Sequence, residues 1–146
     1  MLPPGMLERL ELVVALWSFG SFHERQTIGV AGTQYDRPMT GYPYLIVDVF
    51  TDRPLAGNQL AVFTDGAAIP EHRLQALALE LGFSESVFVF PPAGGETARL
   101  RIFTPATEIP FAGHPVLGTA VALAIAQGLD AVELATPQGL VPLAIS

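Results

Sequence analysis

Short runs of β-forming residues divide the chain after about residue 43 into six strands. Val, Ile, Phe and Tyr dominate these runs, and Gly and Pro separate them. Residues 97–104 alternate between the two faces, which is typical of a half-buried strand. The predicted strands are Tyr44–Phe50, Gln59–Phe63, Ser84–Phe90, Thr97–Thr104, Ala131–Thr136 and Leu140–Ile145.

Two helices are predicted between these strands. The first follows Pro70 and ends at Gly82, with leucine and alanine at the i, i+3, i+4 and i+7 positions counted from Leu74. The second begins at His114 and ends at about Gln127, and it carries no charged residue after its histidine. Because a helix that is apolar on every side is buried on every side, we expect this helix to form the core.

The element order, β-β-α-β-β-α-β-β, predicts an α+β domain. Its expected form is a curled, barrel-like mixed sheet wrapped around the buried central helix. Residues 1–43 show no sustained period and are repeatedly interrupted by Gly and Pro. We therefore expect a poorly ordered N-terminal extension over residues 1–43 and a folded domain over residues 44–146.

Composition and charge narrow the classes of function. Of the 146 residues, 50% are hydrophobic, so the chain can bury a substantial core. The seven Lys and Arg are scattered and the net charge is −7, which argues against binding to nucleic acid or to an anionic membrane surface. No apolar stretch is long enough for a membrane span. The absence of cysteine excludes thiolate chemistry and suits a cytoplasmic location.

Glu85 is the first candidate for chemistry. It stands between Ser84 and Ser86 at the start of a predicted strand, so its side chain points away from both serines. A carboxyl group among apolar residues can act as a general acid or base, because burial raises the pKa of such a group. An exposed glutamate at a strand end is the alternative.

Gly113, His114 and Pro115 form the second candidate. With Pro115 as the first helical residue, His114 lies near the N-cap, where free backbone N–H groups can hold an anion. Gly113 allows a ligand to approach the backbone closely. The alternative is that the three residues only cap the helix. A metal site is not indicated, since His23 and His72 show no ligand spacing to His114.

Two further polar residues are weaker candidates. Gly57 and Asn58 fit a plain turn, although the Asn58 amide could instead face a ligand. Glu108 in the predicted irregular loop is expected to be a solvated carboxylate. No glycine-rich phosphate-binding motif follows any predicted strand, so no nucleotide cofactor is expected.

Taken together, these motifs resemble the PhzF-like phenazine-biosynthesis family, which shares the diaminopimelate epimerase fold. The resemblance covers about residues 44–146 and not the N-terminal zone. It is carried by Asp48-Val-Phe-Thr, Gly57-Asn58, Phe83-Ser-Glu-Ser-Val-Phe88 and Arg101-Ile-Phe-Thr-Pro, and by Glu108-Ile-Pro-Phe-Ala-Gly-His-Pro-Val-Leu-Gly-Thr119.

The resemblance implies a two-half fold with the active site in the cleft between the halves. It implies a cofactor-independent isomerase that moves a proton between carbons of a small carboxylic acid. Glu85 matches the family's proton-transferring glutamate, and Gly113 and His114 match the pair beside the substrate. We take Glu85 and His114 as the catalytic candidates. The substrate-binding candidates are Asn58, Ser84, Ser86 and Gly113.

The sequence also departs from the family pattern. Gln59 stands where the family usually has proline, and the second half, which should supply another acidic residue, has no counterpart in the chain. The chain is therefore expected to represent the N-terminal half-domain. The alternative function is a truncated, non-catalytic half that folds, forms a homodimer or binds a small acid.

The boundary of the domain gives the first prediction. Since residues 1–38 lack periodicity and Met39 immediately precedes the first strand, we expect a variant beginning at Met39 to melt cooperatively, like the full chain. Limited proteolysis should trim the same segment first. A truncated variant that fails to fold would contradict this domain boundary.

Overall fold

The computed structural model describes residues 41–145 and shows seven strands and two α-helices in this range. The expectation for residues 1–40 lies outside the described residues. The elements are β1 (Tyr44–Val49), β2 (Asn58–Phe63), a 3₁₀ turn (Gly66–Ala68), α1 (Glu71–Leu81), β3 (Glu85–Phe90), β4 (Ala98–Phe103), β5 (Glu108–Ile109), α2 (Gly113–Gln127), β6 (Ala131–Thr136) and β7 (Gly139–Ala144).

The strands form one mixed sheet in the order β1-β2-β3-β4-β6-β7, with the short β5 beside β4. The pairs β2/β3 and β4/β6 are parallel, and α1 and α2 lie in the connections between their strands. The sheet is strongly curled into a half-barrel, which confirms the predicted fold class. Strands β1 and β7 stand at the two ends of the described order.

The strand alternation divides the core into two layers. On one face, alternate residues of β1, β2, β3, β4 and β6 pack against α2. On the other face, Phe63, Phe88 and Phe103 pack with Leu74 and Ala78 of α1. The helical face predicted for α1 and the alternation predicted for β4 are both confirmed.

Helix α2 is buried from Pro115 to Ala124, apart from a partly buried Leu117. Its last turn differs from the prediction, because the Ile125 side chain is 52% exposed and the described strands do not cover it. A side chain at Gly118 would place its Cβ atom 2.7 Å from Val49 Cγ2 and 2.9 Å from Leu60 Cδ2. The helix backbone therefore rests directly on side chains of β1 and β2.

Two other boundaries differ from the sequence prediction. The loop expected over residues 104–113 contains β5, whose residues Ile109 and Glu108 pair with Ile102 and Phe103 of β4. Helix α2 begins at Gly113 with Ala112 as its N-cap, so Pro115 is its third residue and not its first.

The buried helix gives the second prediction. Ala120 is fully buried against the curled sheet. Ala120→Asp would place an unpaired charge in the core, at a cost of more than about 4 kcal/mol, which is enough to unfold most domains. Urea denaturation, monitored by circular dichroism, measures the loss in the free energy of unfolding.

Ala126→Asp is the matched control, because Ala126 lies on the exposed last turn of the same helix. Its free energy of unfolding should fall by no more than about 1.5 kcal/mol, because Asp is a poorer helix former than Ala and its charge opposes the helix dipole in the last turn. A cooperatively melting Ala120→Asp variant would contradict the central position of α2.

Candidate functional site

Glu85 and His114 come together although they lie 29 positions apart in the sequence. Glu85 is the first residue of β3 and shares the face of Val87 and Val89, which pack against α2. His114 lies in the first turn of α2. The alternation of β3 therefore directs the carboxylate toward the start of the buried helix.

The Glu85 Oε2 and His114 Nε2 atoms are 3.3 Å apart, and their side chains are only 18% and 11% exposed. The contact does not have the geometry of a hydrogen bond, and neither atom has another hydrogen-bond partner among residues 41–145. Buried polar atoms without partners cost free energy and are uncommon in folded proteins. Glu85 Oε2 and His114 Nε2 are thus buried polar atoms that face each other without any other partner among the described residues.

Burial lowers the pKa of His114 below its ordinary value of 6.5, and the nearby Glu85 carboxylate opposes this shift without overcoming it. The imidazole is therefore neutral at pH 7. Because a neutral imidazole cannot form an ion pair, the two side chains form a polar pair.

The N-terminus of α2 supplies the donors of the site. The N–H groups of Gly113 and His114 have no partner within the helix, since they belong to its first turn. Pro115 has no N–H, so the corrected start of the helix leaves two such donors among its first three residues. They can hold one carboxylate group of a ligand.

Asn58 and Ser84 lie at the same end of the sheet as Glu85. The Ser84 hydroxyl donates to Asn58 Oδ1 over 3.4 Å, and both residues are exposed. Leu60 is the register partner of Glu85, so the beginnings of the parallel strands β2 and β3 are aligned there. Asn58, Ser84 and Glu85 therefore border one edge of the half-barrel.

Ser86 does not join this group. Its hydroxyl is buried, has no hydrogen-bond partner among the described residues, and lies on the α1 side of the sheet with Phe88. The strand alternation that points Glu85 toward α2 points Ser86 away from it. No group of three potential ligands that could hold a metal ion occurs in the described range.

Glu108 is exposed to solvent, as the sequence indicated, but it lies in β5 and not in a loop, and it is paired with an arginine. Arg101 donates to both of its oxygens, each over 2.7 Å, and also donates to both oxygens of Glu71 on α1. The paired carboxylates raise the pKa of the Arg101 guanidinium further. Gln75 of α1 donates to the carbonyl groups of Thr104 and Pro105. Helix α1 therefore holds the segment between β4 and β5 directly at its start, through Gln75, and indirectly at Glu108, through Arg101.

Sequence reasoning missed one residue next to the site. Phe50 was predicted to end the first strand, but β1 ends at Val49 and Phe50 turns away with a φ of 64°. Its ring centroid is 6.4 Å from that of His114. A phenylalanine in a β-forming run carries no signal for a left-handed backbone, because that conformation is usually left to glycine or asparagine.

Comparison with known proteins gives consistent findings. The sequence profile of the PhzC-PhzF family, described as phenazine biosynthesis-like protein, matches residues 47–146. A trans-2,3-dihydro-3-hydroxyanthranilate isomerase of Pseudomonas aeruginosa is 47% identical over 102 residues, which cover 70% of this chain and 37% of that protein. An uncharacterised isomerase of Mesorhizobium japonicum is 52% identical over 82 residues, covering 56% of this chain and 27% of that protein.

Solved structures resemble the fold as well. A protein described as a predicted epimerase from Pseudomonas aeruginosa superposes with a TM-score of 0.63 at 42% identity, covering 68% of this chain and 36% of that one. A PhzF-family phenazine biosynthesis protein from Bacillus anthracis gives a TM-score of 0.64 at 29% identity, covering 70% and 35% respectively. The matched part of the chain thus spans between 27% and 37% of the length of these relatives.

The lowered pKa of His114 gives the third prediction. Below pH 6.5 the unfolded chain takes up a proton on this residue that the folded chain still excludes. The free energy of unfolding should therefore fall as the pH decreases from 6.5 toward the lowered pKa, and His114→Gln should remove this part of the slope. Urea titrations at a series of pH values measure the effect.

The same shift can be observed directly by NMR. The ring carbons of His114 should titrate with a midpoint below 6.5 in the wild type. In Glu85→Gln the midpoint should move lower still, because the carboxylate that favours the imidazolium is gone. A wild-type midpoint above 6.5 would instead identify an ionised Glu85–His114 pair.

Proposed function

The chain belongs to the PhzC-PhzF family of phenazine biosynthesis-like proteins, and on that premise we propose that it carries the proton-transferring side of an isomerase site. The proposed reaction moves a proton between two carbons of a small unsaturated carboxylic acid without a cofactor. The contact between Glu85 and His114 is the observation that carries the proposal. The names of the relatives as isomerases support the same class of reaction.

In the proposed reaction Glu85 is the base and then the acid. Its carboxylate removes a proton from a carbon next to the substrate's carboxyl group, and the electron pair shifts the adjacent double bond by one position. The protonated Glu85 then returns the proton to the carbon at the far end of the original double bond. One C–H bond breaks and another forms, so the reaction is redox-neutral.

His114 and the start of α2 orient the substrate in this proposal. The N–H groups of Gly113 and His114 bind the substrate carboxylate, which fixes the carbon to be deprotonated near Glu85. Because the imidazole is neutral at pH 7, it can hydrogen-bond the substrate without forming an ion pair with the base. Asn58 and Ser84 border the same edge and complete the polar side of the pocket.

The site needs a second wall. Glu85 and His114 lie on one half-barrel, and proton transfer at carbon requires that water be excluded from the reacting atoms. The matched region covers only 37% of the Pseudomonas isomerase and 27% of the Mesorhizobium protein. We propose that the remaining length of such a protein, or a second copy of this chain, covers the site. A homodimer and a cytoplasmic location belong to the same proposal.

The substrate class follows from the relative's name and from the donors of the site. We place the substrate among unsaturated ring or chain carboxylic acids related to the dihydro-hydroxyanthranilate of the Pseudomonas isomerase, as in phenazine biosynthesis or related metabolism. The alternative, a non-catalytic half-domain, differs in one observable. It would bind such an acid and leave its C–H bonds unexchanged.

The fourth prediction tests the role of Glu85. The chain is combined with the C-terminal portion of the Pseudomonas isomerase and incubated with vinylacetate in D₂O, and deuterium incorporation is followed by NMR. Glu85→Gln preserves the shape of the side chain but cannot accept the proton, so exchange should fall by about 10² to 10⁴-fold. His114→Ala should chiefly weaken binding of the acid.

Glu80→Gln is the matched control, because Glu80 is an exposed carboxylate on α1. It should exchange at the wild-type rate. Exchange that survives Glu85→Gln would remove Glu85 from the reaction. Wild-type binding of the acid without any exchange would favour the non-catalytic alternative, and full activity of the chain alone would favour a homodimer that completes the site.

A further inference from the structure

An exposed aromatic ring stands at the mouth of the site. The Phe50 side chain is 59% exposed, and its ring is tilted by 53° to the His114 ring at a centroid distance of 6.4 Å. This distance lies within the range in which aromatic rings interact. The Phe50 ring therefore lies next to the His114 imidazole, and the rest of the ring is exposed to solvent.

The backbone of Phe50 is held in an unfavourable conformation. Its φ of 64° lies in the left-handed region, where a bulky side chain costs free energy relative to glycine. Had β1 simply continued by one residue, the alternation would have placed Phe50 on the opposite face from Val49. The turn instead aims the ring toward the N-terminus of α2, where burial is incomplete.

Two contacts fix the loop that follows Phe50. The buried carboxylate of Asp48 accepts a hydrogen bond of 2.8 Å from the backbone N–H of Leu55, which also has a positive φ of 65°. A Cβ atom on Gly57 would lie 2.6 Å from Val49 O and 2.6 Å from Thr51 Cγ2, so the returning chain passes directly against the end of β1. The position of Phe50 is thus set by the core on both sides of the turn.

Surface hydrophobic residues are common, and exposure alone says little about their role. Leu55 is also exposed and shares the positive φ and the anchored loop with Phe50. Phe50 differs from it because its ring lies next to a candidate site residue, His114. Leu140 on β7 is equally exposed at 59%, but β7 stands at the opposite end of the strand order from β1.

We infer that Phe50 is a specificity-determining residue that packs against the flat, apolar part of the substrate and favours acids carried on an unsaturated ring over open-chain acids. The inference rests on the proposed function, since it assumes that the acid group lies at the start of α2. With the carboxylate held there, a planar ring that extends outward from the Glu85–His114 pair meets the exposed part of the Phe50 ring.

The test uses the chain combined with the C-terminal portion of the Pseudomonas isomerase, so that the site has its second wall, and compares the binding of two acids by NMR titration. Cyclohexenecarboxylate is the ring probe and crotonate is the open-chain probe. The wild type should bind the ring probe more tightly than crotonate. Phe50→Ala should raise the Kd of the ring probe about five- to tenfold and change the Kd of crotonate less than twofold. Phe50→Leu, which keeps apolar bulk without a flat ring, is the second variant. Its Kd for the ring probe should lie between those of the wild type and Phe50→Ala.

Two control variants separate the possible failures. Leu140→Ala removes an equally exposed side chain and should change the affinity for neither acid. His114→Ala should weaken the binding of both acids alike. Equal weakening of both acids by Phe50→Ala, or a wild type that binds both equally, overturns the role of Phe50 and leaves the proposed function standing. A wild type that binds neither acid overturns the proposed substrate class and this inference with it.

Discussion

The packing of α2 inside the curled sheet is the constraint on which the other features depend. The absence of a side chain at Gly118 brings the helix backbone against Val49 and Leu60. Val49 directly precedes Phe50, and Leu60 is the register partner of Glu85. A single contact between helix and sheet therefore sets the distance from the start of α2 both to the carboxylate and to the aromatic ring. A side chain at Gly118 would move the start of α2 away from both the Glu85 carboxylate and the Phe50 ring.

The second support of the site lies outside the core. Arg101 connects α1 to β5 through Glu71 and Glu108, and its guanidinium also lies 5.2 Å from the centroid of the Phe103 ring. The segment from β5 leads within four residues to Gly113, where α2 begins. The arginine thereby fixes the entry of the chain into the helix that carries His114, although it is remote from the carboxylate of Glu85.

Periodicity in the sequence predicted the parts of this structure that depend on one face being buried. The apolar surface of α2 indicated the central helix, and the alternation around Glu85 indicated which way its side chain points. The two residues were expected in one site because the motifs resembled a family, and the structure places their side chains 3.3 Å apart. Without the resemblance, residue types and spacing leave open whether Glu85 is merely an exposed residue at a strand end and whether His114 only helps to cap the helix.

The parts that were missed depend on contacts between distant positions or on unusual backbone conformations. Nothing in the local pattern shows that Arg101 meets Glu71, which precedes it by 30 residues, or that Glu108 lies in a two-residue strand. The turn at Phe50 uses a conformation that its residue type disfavours. The helix start was placed two residues late because proline is common at the first helical position, whereas here Ala112 caps the helix without a side-chain hydrogen bond.

The proline within β7 has a consequence for the outer edge of that strand. Pro142 pairs with Glu133, whose backbone C=O and N–H are both bonded to Thr97 on the side away from β7. Pro142 therefore occupies a position whose N–H would have pointed outward, so the β6–β7 ladder loses no hydrogen bond. The outer edge of the strand lacks one donor at its middle, which makes it a poor template for another extended chain. Among the described strands, the edge of β7 that carries the exposed Leu140 is in this way a weaker site for pairing with another strand.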